Sequence, residues 1–181
     1  NIGAEDLHGS EWSKNGFNGF QTVWLKNIDR LMQFLIDAKI KVKDHTLLDL
    51  GNGNGISTFY FGEKYNFSKI IGIEINENLH NIAKENLKKR NQFINDTESL
   101  NIEFFNINAL NFEIPDEKFI IFIFNTLQWH ALEVFIKNNL KNLRKNKCIL
   151  LQANDHCINE VLNYSKLIKR NDFFNISAVI F

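Results

Sequence analysis

The sequence predicts one α/β domain with a doubly wound, mainly parallel sheet of six or seven strands and helices on both faces. Three observations support this prediction. Short apolar runs alternate along the chain with longer stretches of helical periodicity, which is the pattern of repeated βαβ units. The run Phe119–Phe124 is apolar at every position, as expected for a central strand covered on both faces. A glycine cluster directly follows the apolar run that ends at Leu50, as in turns that approach a ligand closely.

Size and composition favour a single domain over residues 1–181, of which 44% are hydrophobic. Lys plus Arg and Asp plus Glu both total 21, so the net charge indicates neither nucleic-acid nor membrane binding, although it leaves room for a local basic patch. No apolar run approaches the roughly 20 residues of a membrane span, and no signal-peptide pattern is present, which predicts a cytoplasmic protein. Cys148 and Cys157 lack zinc-ligand or disulfide spacing, so we interpret them as inert buried thiols.

Apolar spacing places the elements in order. Residues 1–40 are predicted to form a strap and one helix, the helix running from Phe20 to about Ala38, and residues 46–181 to form the core. Apolar runs predict strands over Thr46–Leu50, Lys69–Ile75, Ile102–Ile107, Phe119–Phe124, Cys148–Gln152 and Phe174–Phe181. Helical spacing predicts helices over Ile56–Lys64, Asn78–Arg90, Ala131–Leu143 and Ile158–Ile168. Because parallel strands end at a common edge, we expect the ligand site in the loops that follow them.

The turn after the first predicted strand contains Asp49, Gly51, Gly53 and Gly55. The helix that follows offers free N–H groups and a positive dipole end to a ligand. Dinucleotide-binding folds use G-x-G-x-x-G around a pyrophosphate, whereas these glycines are spaced G-x-G-x-G. A carboxylate two residues before the first glycine would repel a pyrophosphate but suits a cationic amino group. The motif therefore disfavours a nicotinamide dehydrogenase.

This motif resembles the first motif of the class I S-adenosylmethionine-dependent methyltransferases, D/E-x-G-x-G-x-G, whose fold is Rossmann-like. Asp49, Gly51, Gly53 and Gly55 match it residue by residue. The resemblance implies that this loop wraps the methionine part of S-adenosylmethionine, and we include Asn52 among its cofactor-binding positions. A glycine-rich turn without a ligand is the alternative interpretation.

Two further positions carry the resemblance. Glu74 ends the second predicted strand, where the family places an acid that accepts hydrogen bonds from both ribose hydroxyls, and the adjacent Ile75 is included as a cofactor contact. Asn108 and Ala109 follow the third strand, where the family has an Asp-Ala pair near the adenine amino group. The amide oxygen of Asn108 can accept the same hydrogen bond. A solvated glutamate at position 74 and an ordinary loop asparagine at position 108 remain alternatives.

The segment after the fourth predicted strand corresponds to the acceptor side of the family. Asn125 matches the first residue of the family's Asn-Pro-Pro-Tyr motif, whereas Thr126 and Leu127 depart from it, so the amino-group mechanism is not implied. Asn125 is predicted to contact both cofactor and acceptor. His130 is the candidate base, because methyl transfer is an in-line displacement that needs a base only when the nucleophile must lose a proton. The alternative is a histidine that starts a helix or is solvated.

Three other expectations concern the same edge. His156, after the fifth strand, is a second candidate base. Trp129 is expected to pack between neighbouring elements. The segment Trp12–Phe20 is expected to be either a lid over the cofactor or a strap against the sheet.

Together the motifs predict methyl transfer from S-adenosylmethionine to an unidentified acceptor, a small molecule or a protein, with S-adenosylhomocysteine as product. The alternative is a non-catalytic S-adenosylmethionine-binding or regulatory module, which the departures at Thr126 and Asn108 favour. No metal site is predicted, and nothing in the sequence indicates the oligomeric state. The family fold ends in an antiparallel hairpin, whereas only one strand, Phe174–Phe181, is predicted after the last helix.

Overall fold

The computed structural model describes residues 16–92 and 100–181. Its strands are β1 Thr46–Leu50, β2 Lys69–Glu74, β3 Ile102–Asn106, β4 Phe119–Phe124, β5 Ile149–Ala153, β6 Lys166–Asn171 and β7 Ile176–Ile180. Its α-helices are α1 Leu25–Asp37, α2 Ile56–Lys64, α3 Glu77–Gln92, α4 Trp129–Lys145 and α5 Ile158–Val161. Short 3-10 turns lie at Val42–Asp44 and Ala109–Asn111. No helix in the described ranges is both long enough and apolar enough to span a membrane.

The seven strands form one sheet in the order β3-β2-β1-β4-β5-β7-β6. β1 pairs in parallel with β2 on one side and with β4 on the other, so the chain changes direction across the sheet at this point. A crevice opens at the carboxyl ends of two strands that diverge in this way, and such crevices hold the ligands of open α/β sheets. The glycine loop after β1 lies there.

Helices cover both faces of the sheet, as predicted. On one face, Leu48 and Ile121 pack in a core with Phe135 of α4. On the other, Leu47 and Phe122 pack with α1 and α2 through residues that include Ile28, Leu31, Leu35 and Phe61. All five residues of β1 are buried, as expected for a strand at the centre of a two-sided sheet. The prediction of an α/β, Rossmann-like, mainly parallel sheet is confirmed.

The predicted helix Ile158–Ile168 is wrong in its second half. α5 ends at Val161, and β6 begins at Lys166 and pairs antiparallel with β7. β6 is an edge strand without a buried residue, so it lacks the alternation of apolar and polar residues that marks a half-buried strand. Leu162 and Ile168 instead continue the helical spacing. The closing antiparallel hairpin that the sequence did not show is therefore present as β6 and β7.

The amino-terminal helix begins later than predicted, at Leu25 rather than Phe20. Residues 16–24, which we call the strap, run in extended form beside the segment after β4. The backbone N–H of Asn18 donates to the carbonyl oxygen of Thr126 at 3.0 Å, and that of Gln128 donates to the carbonyl oxygen of Gly16 at 2.7 Å. The strap thus lies over the crevice. Residues 12–15 of the predicted lid, and the rest of residues 1–15, lie outside the described residues.

Candidate functional site

The glycine loop turns sharply between β1 and α2. Gly51 has a φ of +79° and Gly53 a φ of +56°, a region that side-chain-bearing residues rarely adopt. A Cβ on Gly51 would lie 2.2 Å from Cγ2 of Thr126, and one on Gly53 would lie 2.4 Å from Cε2 of Phe20. Both positions therefore require glycine, for backbone conformation and for space.

Asp49 lies beneath this loop and is 2% exposed. Its Oδ2 accepts hydrogen bonds from Oγ of Ser57 at 2.7 Å and from Oγ1 of Thr58 at 2.6 Å, both in the first turn of α2. Burial raises the pKa of Asp49 to about 6, against the lowering effect of these two hydroxyls, and the charge of Glu74 raises it further. A buried carboxylate with a raised pKa gains stability when a cation comes close to it.

Glu74 lies at the carboxyl end of β2 on the same side of the sheet and is 8% exposed. Its Oε2 accepts from the backbone N–H of Gly53 at 2.9 Å, and its Oε1 accepts from that of Asn76 at 2.8 Å. Burial raises the pKa of Glu74, while these backbone hydrogen bonds lower it. Each carboxylate oxygen keeps acceptor capacity after one hydrogen bond. Glu74 therefore holds the glycine loop and can still accept from a ligand.

Asn52 supports the loop from inside. Its Nδ2 donates to the carbonyl oxygen of Gly53 at 3.0 Å. Its Oδ1 is buried against Gly72 of β2 and has no hydrogen-bond partner among the described residues. The side chain thus fixes the loop conformation, while the residue also lines the crevice.

The adenine-side candidates lie one strand further along. Oδ1 of Asn108 accepts from the backbone N–H of Leu110 at 2.8 Å and so caps the 3-10 turn Ala109–Asn111, whose first residue is buried. Sequence reasoning missed Asn106, whose Nδ2 donates to the carbonyl oxygens of Glu74 at 2.8 Å and Ile75 at 3.1 Å. The signal was an asparagine at the end of β3, which pairs with Glu74 in the sheet register.

Two small cavities lie between the glycine loop and the strap. The Asp49 cavity, of about 30 Å³, is lined by residues that include Asp49, Asn52 and Ser57. The Glu74 cavity, of about 40 Å³, is lined by residues that include Glu74, Ile75 and Asn125. A water molecule takes roughly 30 Å³ of liquid, and ligand pockets measure about 300–1,000 Å³. Phe20, Gln21, Gly51 and Phe124 line both cavities, so the strap side chains Phe20 and Gln21 fill the space between them.

Asn125 is held by two other amides at the edge of the Glu74 cavity. Its Nδ2 donates to Oε1 of Gln21 in the strap at 2.6 Å, and its Oδ1 accepts from Nδ2 of Asn154, which follows β5. We call Gln21, Asn125 and Asn154 the amide chain. Sequence reasoning missed Gln21 and Asn154. Only Asn154 carried a signal, since it follows a strand at the ligand edge.

His130, the predicted base, is exposed in the first turn of α4. Its ring lies against the strap, where a Cβ on Gly16 would be 2.4 Å from Nε2 of His130. It lines neither the Asp49 cavity nor the Glu74 cavity. His156 is exposed as well, and Trp129 packs against Tyr164 with ring centroids 6.4 Å apart. The described residues thus place no histidine in the crevice.

Thr126, at which the sequence departs from the Asn-Pro-Pro-Tyr motif, links the ends of two strands beside the crevice. Its Oγ1 donates to the carbonyl oxygen of Leu50 at 2.7 Å and lies 3.2 Å from that of Phe124, so it joins the ends of β1 and β4. Its methyl group packs over Gly51. This residue therefore fixes the crevice from the β4 side.

The described residues contain no group of three or more His, Cys, Asp or Glu side chains that could hold a metal ion. Cys148 is buried and Cys157 half-buried, and burial raises the pKa of both thiols. A raised pKa keeps a thiol protonated and unreactive near neutral pH.

Three solved structures share the fold. The methyltransferase domain of bacterial CtHen1 has a TM-score of 0.58 at 16% identity, over 86% of this chain and 99% of that one. SMU.1697c from Streptococcus mutans, in complex with S-adenosylhomocysteine, has a TM-score of 0.56 at 16% identity, over 85% and 96%. The tRNA (m1A58) methyltransferase TrmI from Aquifex aeolicus has a TM-score of 0.53 at 18% identity, over 80% and 53%. This chain thus spans about half the length of TrmI. A search of curated proteins finds no match to this chain.

A family model described as a methyltransferase domain matches residues 47–146. This range runs from β1 into the turn after α4 and so includes Asp49, the glycine loop, Glu74 and Asn125. It covers more than half of the 181 residues. The chain belongs to this methyltransferase domain family, the S-adenosylmethionine-dependent class I methyltransferases that the sequence motifs predict.

Proposed function

We propose that this protein transfers the methyl group of S-adenosylmethionine to a small molecule or a protein whose reacting group is placed at the amide chain. The observation that carries the proposal is the position of two buried carboxylates, Asp49 and Glu74, beside one glycine loop. The first suits an ammonium group and the second suits a pair of hydroxyls, which are the polar ends of the adenosyl amino acid.

The residues present fit this cofactor. Burial raises the pKa of Asp49 to about 6 because no positive charge lies beside this carboxylate among the described residues. The ammonium group of a ligand would stabilise its ionised form. The Cβ-free surface at Gly53 allows close approach of a ligand to the backbone once Phe20 has moved. When bound, S-adenosylmethionine supplies an activated methyl group on a sulfonium centre.

The chain's own residues then bind, orient and exclude water. We propose that Asp49 and Glu74 anchor the cofactor, with Ile75 beside the second cavity, and that Asn108 and Ala109 lie on the adenine side. Asn125, fixed by Gln21 and Asn154, offers its amide N–H and C=O groups as hydrogen-bond partners to the molecule that receives the methyl group. His130 and His156 lie away from the crevice, so we propose an acceptor atom that reacts through an available lone pair and needs no histidine base.

The strap must change position in this cycle. Phe20 and Gln21 occupy the middle of the crevice, where the remaining cavities measure about 30 and 40 Å³. We propose that they move away to admit the cofactor and return as a cover that excludes water during transfer. The expected lid and the expected strap are then two positions of one segment.

Calorimetry with S-adenosylmethionine and NAD tests the binding step. We expect binding of S-adenosylmethionine alone, weakened at least tenfold by Glu74→Gln. Glu103→Gln is the matched control, because Glu103 is an exposed carboxylate on the neighbouring β3 that pairs with Lys69. Binding of NAD in preference, or equal losses in both variants, would contradict the proposal.

The second candidate function is a non-catalytic S-adenosylmethionine-binding module. It is favoured by the amide chain, in which both polar atoms of Asn125 already have partners, and by the distance of both histidines from the crevice. Incubation with methyl-labelled S-adenosylmethionine and cell fractions separates the two functions. Label recovered in small molecules or in protein identifies an enzyme and its acceptor class, whereas binding with no label transferred identifies the module.

A further inference from the structure

Five lysines surround one concave surface at the edge of the sheet opposite the glycine loop. They come from three separate segments: the turn after α1, the residue before β4, and the end of α4. The surface encloses about 530 Å³, and His45 and Asp44 contribute to its wall. We call it the lysine basin, and its lysines are Lys39, Lys41, Lys118, Lys145 and Lys147.

Five lysines and one carboxylate, that of Asp44, line the basin, so its lining carries net positive charge in a chain whose net charge is 0. Lys145 pairs with Asp116. Among the described residues, no carboxylate oxygen lies within 4 Å of the ammonium groups of the other four lysines. Like charges held in one concavity repel each other, and an anion bound there relieves that repulsion.

His45, in the wall of the basin, is affected by the positive charge of the lysines. It is 8% exposed, and its Nδ1 lies 2.9 Å from the carbonyl oxygen of Lys41. Burial lowers the pKa of His45, and the positive charge of Lys118 lowers it further. The histidine is therefore neutral at neutral pH, and the lysines supply the charge.

Two of the lysines occupy backbone positions that favour other residues. Lys39 has a φ of +58° and Lys147 a φ of +51°, each just beyond the end of a helix. Glycine or asparagine is the usual residue in this conformation. The backbone conformation therefore does not explain why lysine occupies these two positions at the basin.

We propose that the lysine basin is a binding site for phosphate groups, carried either by a free polyphosphate or by the backbone of a nucleic acid. Lysine is a compact point charge that binds phosphate without demanding one geometry. The lining offers the aliphatic side chains Ile40, Ile149 and Ile180 but no Phe, Tyr or Trp ring, and the ring of His45 is only 8% exposed, so phosphate rather than base recognition is expected. A volume of about 530 Å³ lies within the usual range of ligand pockets, about 300–1,000 Å³.

This site is independent of the proposed methyl transfer. The five residues of β1 separate the two edges of the sheet, which amounts to roughly 17 Å at about 3.3 Å per residue. Asp49 and Glu74 lie at one edge, and the basin lies at the other. Failure of S-adenosylmethionine binding would therefore leave the basin proposal standing, and the reverse is also true.

The test uses the double variant Lys39→Asn/Lys147→Asn, with tripolyphosphate and a short single-stranded RNA as probes. Asparagine tolerates the left-handed conformation, so the variant removes two charges without straining the backbone. We expect at least tenfold weaker binding of the probe. For the RNA, the slope of log K against log salt concentration should fall by about 1.4, since each phosphate contact contributes about 0.7. The matched control is Lys26→Gln/Lys137→Gln, which removes two exposed lysines from α1 and α4 outside the basin.

Binding of tripolyphosphate that depends on Lys39 and Lys147 identifies a free polyphosphate as the ligand. Binding of the RNA alone, with the same dependence, identifies a nucleic-acid backbone. The proposal is overturned if neither probe binds, if the double variant binds as well as the wild type, or if the control variant loses as much affinity. The urea midpoint of each variant verifies that all of them are folded.

Discussion

Replacing Asp49 by Asn should raise the stability of the folded protein and at the same time remove its ability to bind the cofactor. Both hydroxyl donors, from Ser57 and Thr58, converge on one carboxylate oxygen, Oδ2. An asparagine side chain can place its single carbonyl oxygen there and keep both hydrogen bonds. The substitution therefore removes a buried charge and replaces Oδ1 by an amide NH₂ group that faces the Asp49 cavity. We expect Asp49→Asn to stabilise the folded protein at neutral pH while it abolishes S-adenosylmethionine binding.

The magnitude follows from the pKa of Asp49. Its value in the folded protein is about 6 against a reference of 3.8, and this difference corresponds to about 3 kcal/mol of stability. The folded pKa is raised, so the contribution is fully present below pH 4, where Asp49 is protonated in both states. It is lost as the pH rises towards 6. The free energy of unfolding of the Asn variant should therefore exceed that of the wild type by near zero below pH 4, by about half of the full difference at pH 5 and by about 3 kcal/mol above pH 6.

Urea denaturation of wild type and variant at pH 5 and pH 7.5 measures this difference directly. The variant's midpoint should exceed the wild-type midpoint at both pH values, and the gap should roughly double between them. The double comparison cancels the titrating groups that do not interact with Asp49, whereas Glu74, whose charge raises the pKa of Asp49, also contributes to the gap. A variant less stable than wild type at pH 7.5, or a gap independent of pH, would refute the assignment of Asp49 as a buried, destabilising charge.

Three other predictions concern the crevice. The affinity for S-adenosylmethionine should rise with pH to a plateau above about 6, because the cofactor ammonium group requires ionised Asp49, and calorimetry across pH 5–8 measures this. Phe20→Ala should speed cofactor association about fivefold in stopped-flow measurements, since opening the strap no longer exposes a half-buried ring worth about 1 kcal/mol, whereas Phe173→Ala, at an 84% exposed residue, should have no effect. Gly51→Ala should cost at least about 2 kcal/mol in urea denaturation, because its φ is +79° and its Cβ would collide with Thr126.

The sequence predicted the parts of the site that depend on neighbouring residues. Asp49 and the glycines form one local turn, and Glu74 ends the strand that a parallel crossover places beside it. The contacts that close the crevice could not be predicted in this way. Gln21 and Asn125 are far apart in the chain and meet only through the path of the strap, which no periodicity records.

The exposed parts of the fold escaped prediction for a related reason. β6 has no buried residue, so its sequence carries no hydrophobic pattern to distinguish it from a helix. His130 was expected in a loop before a helix, but it lies in the first turn of α4 and its ring is directed towards Gly16 instead of the crevice. The lysine basin is invisible in the sequence because its residues become neighbours only when the amino ends of β1, β4 and β5 align.

The two edges of the sheet therefore differ in charge although the net charge of the chain is 0. The carboxyl edge holds buried acids that suit a cationic sulfonium cofactor, and the amino edge holds lysines that suit an anion. The lysines are exposed and therefore screened over a Debye length of about 8 Å at physiological salt, whereas the two acids are buried and screened less. We expect each edge to attract a ligand of opposite sign. This separation of charge across the sheet is a property that neither the net charge nor the composition of the chain can show.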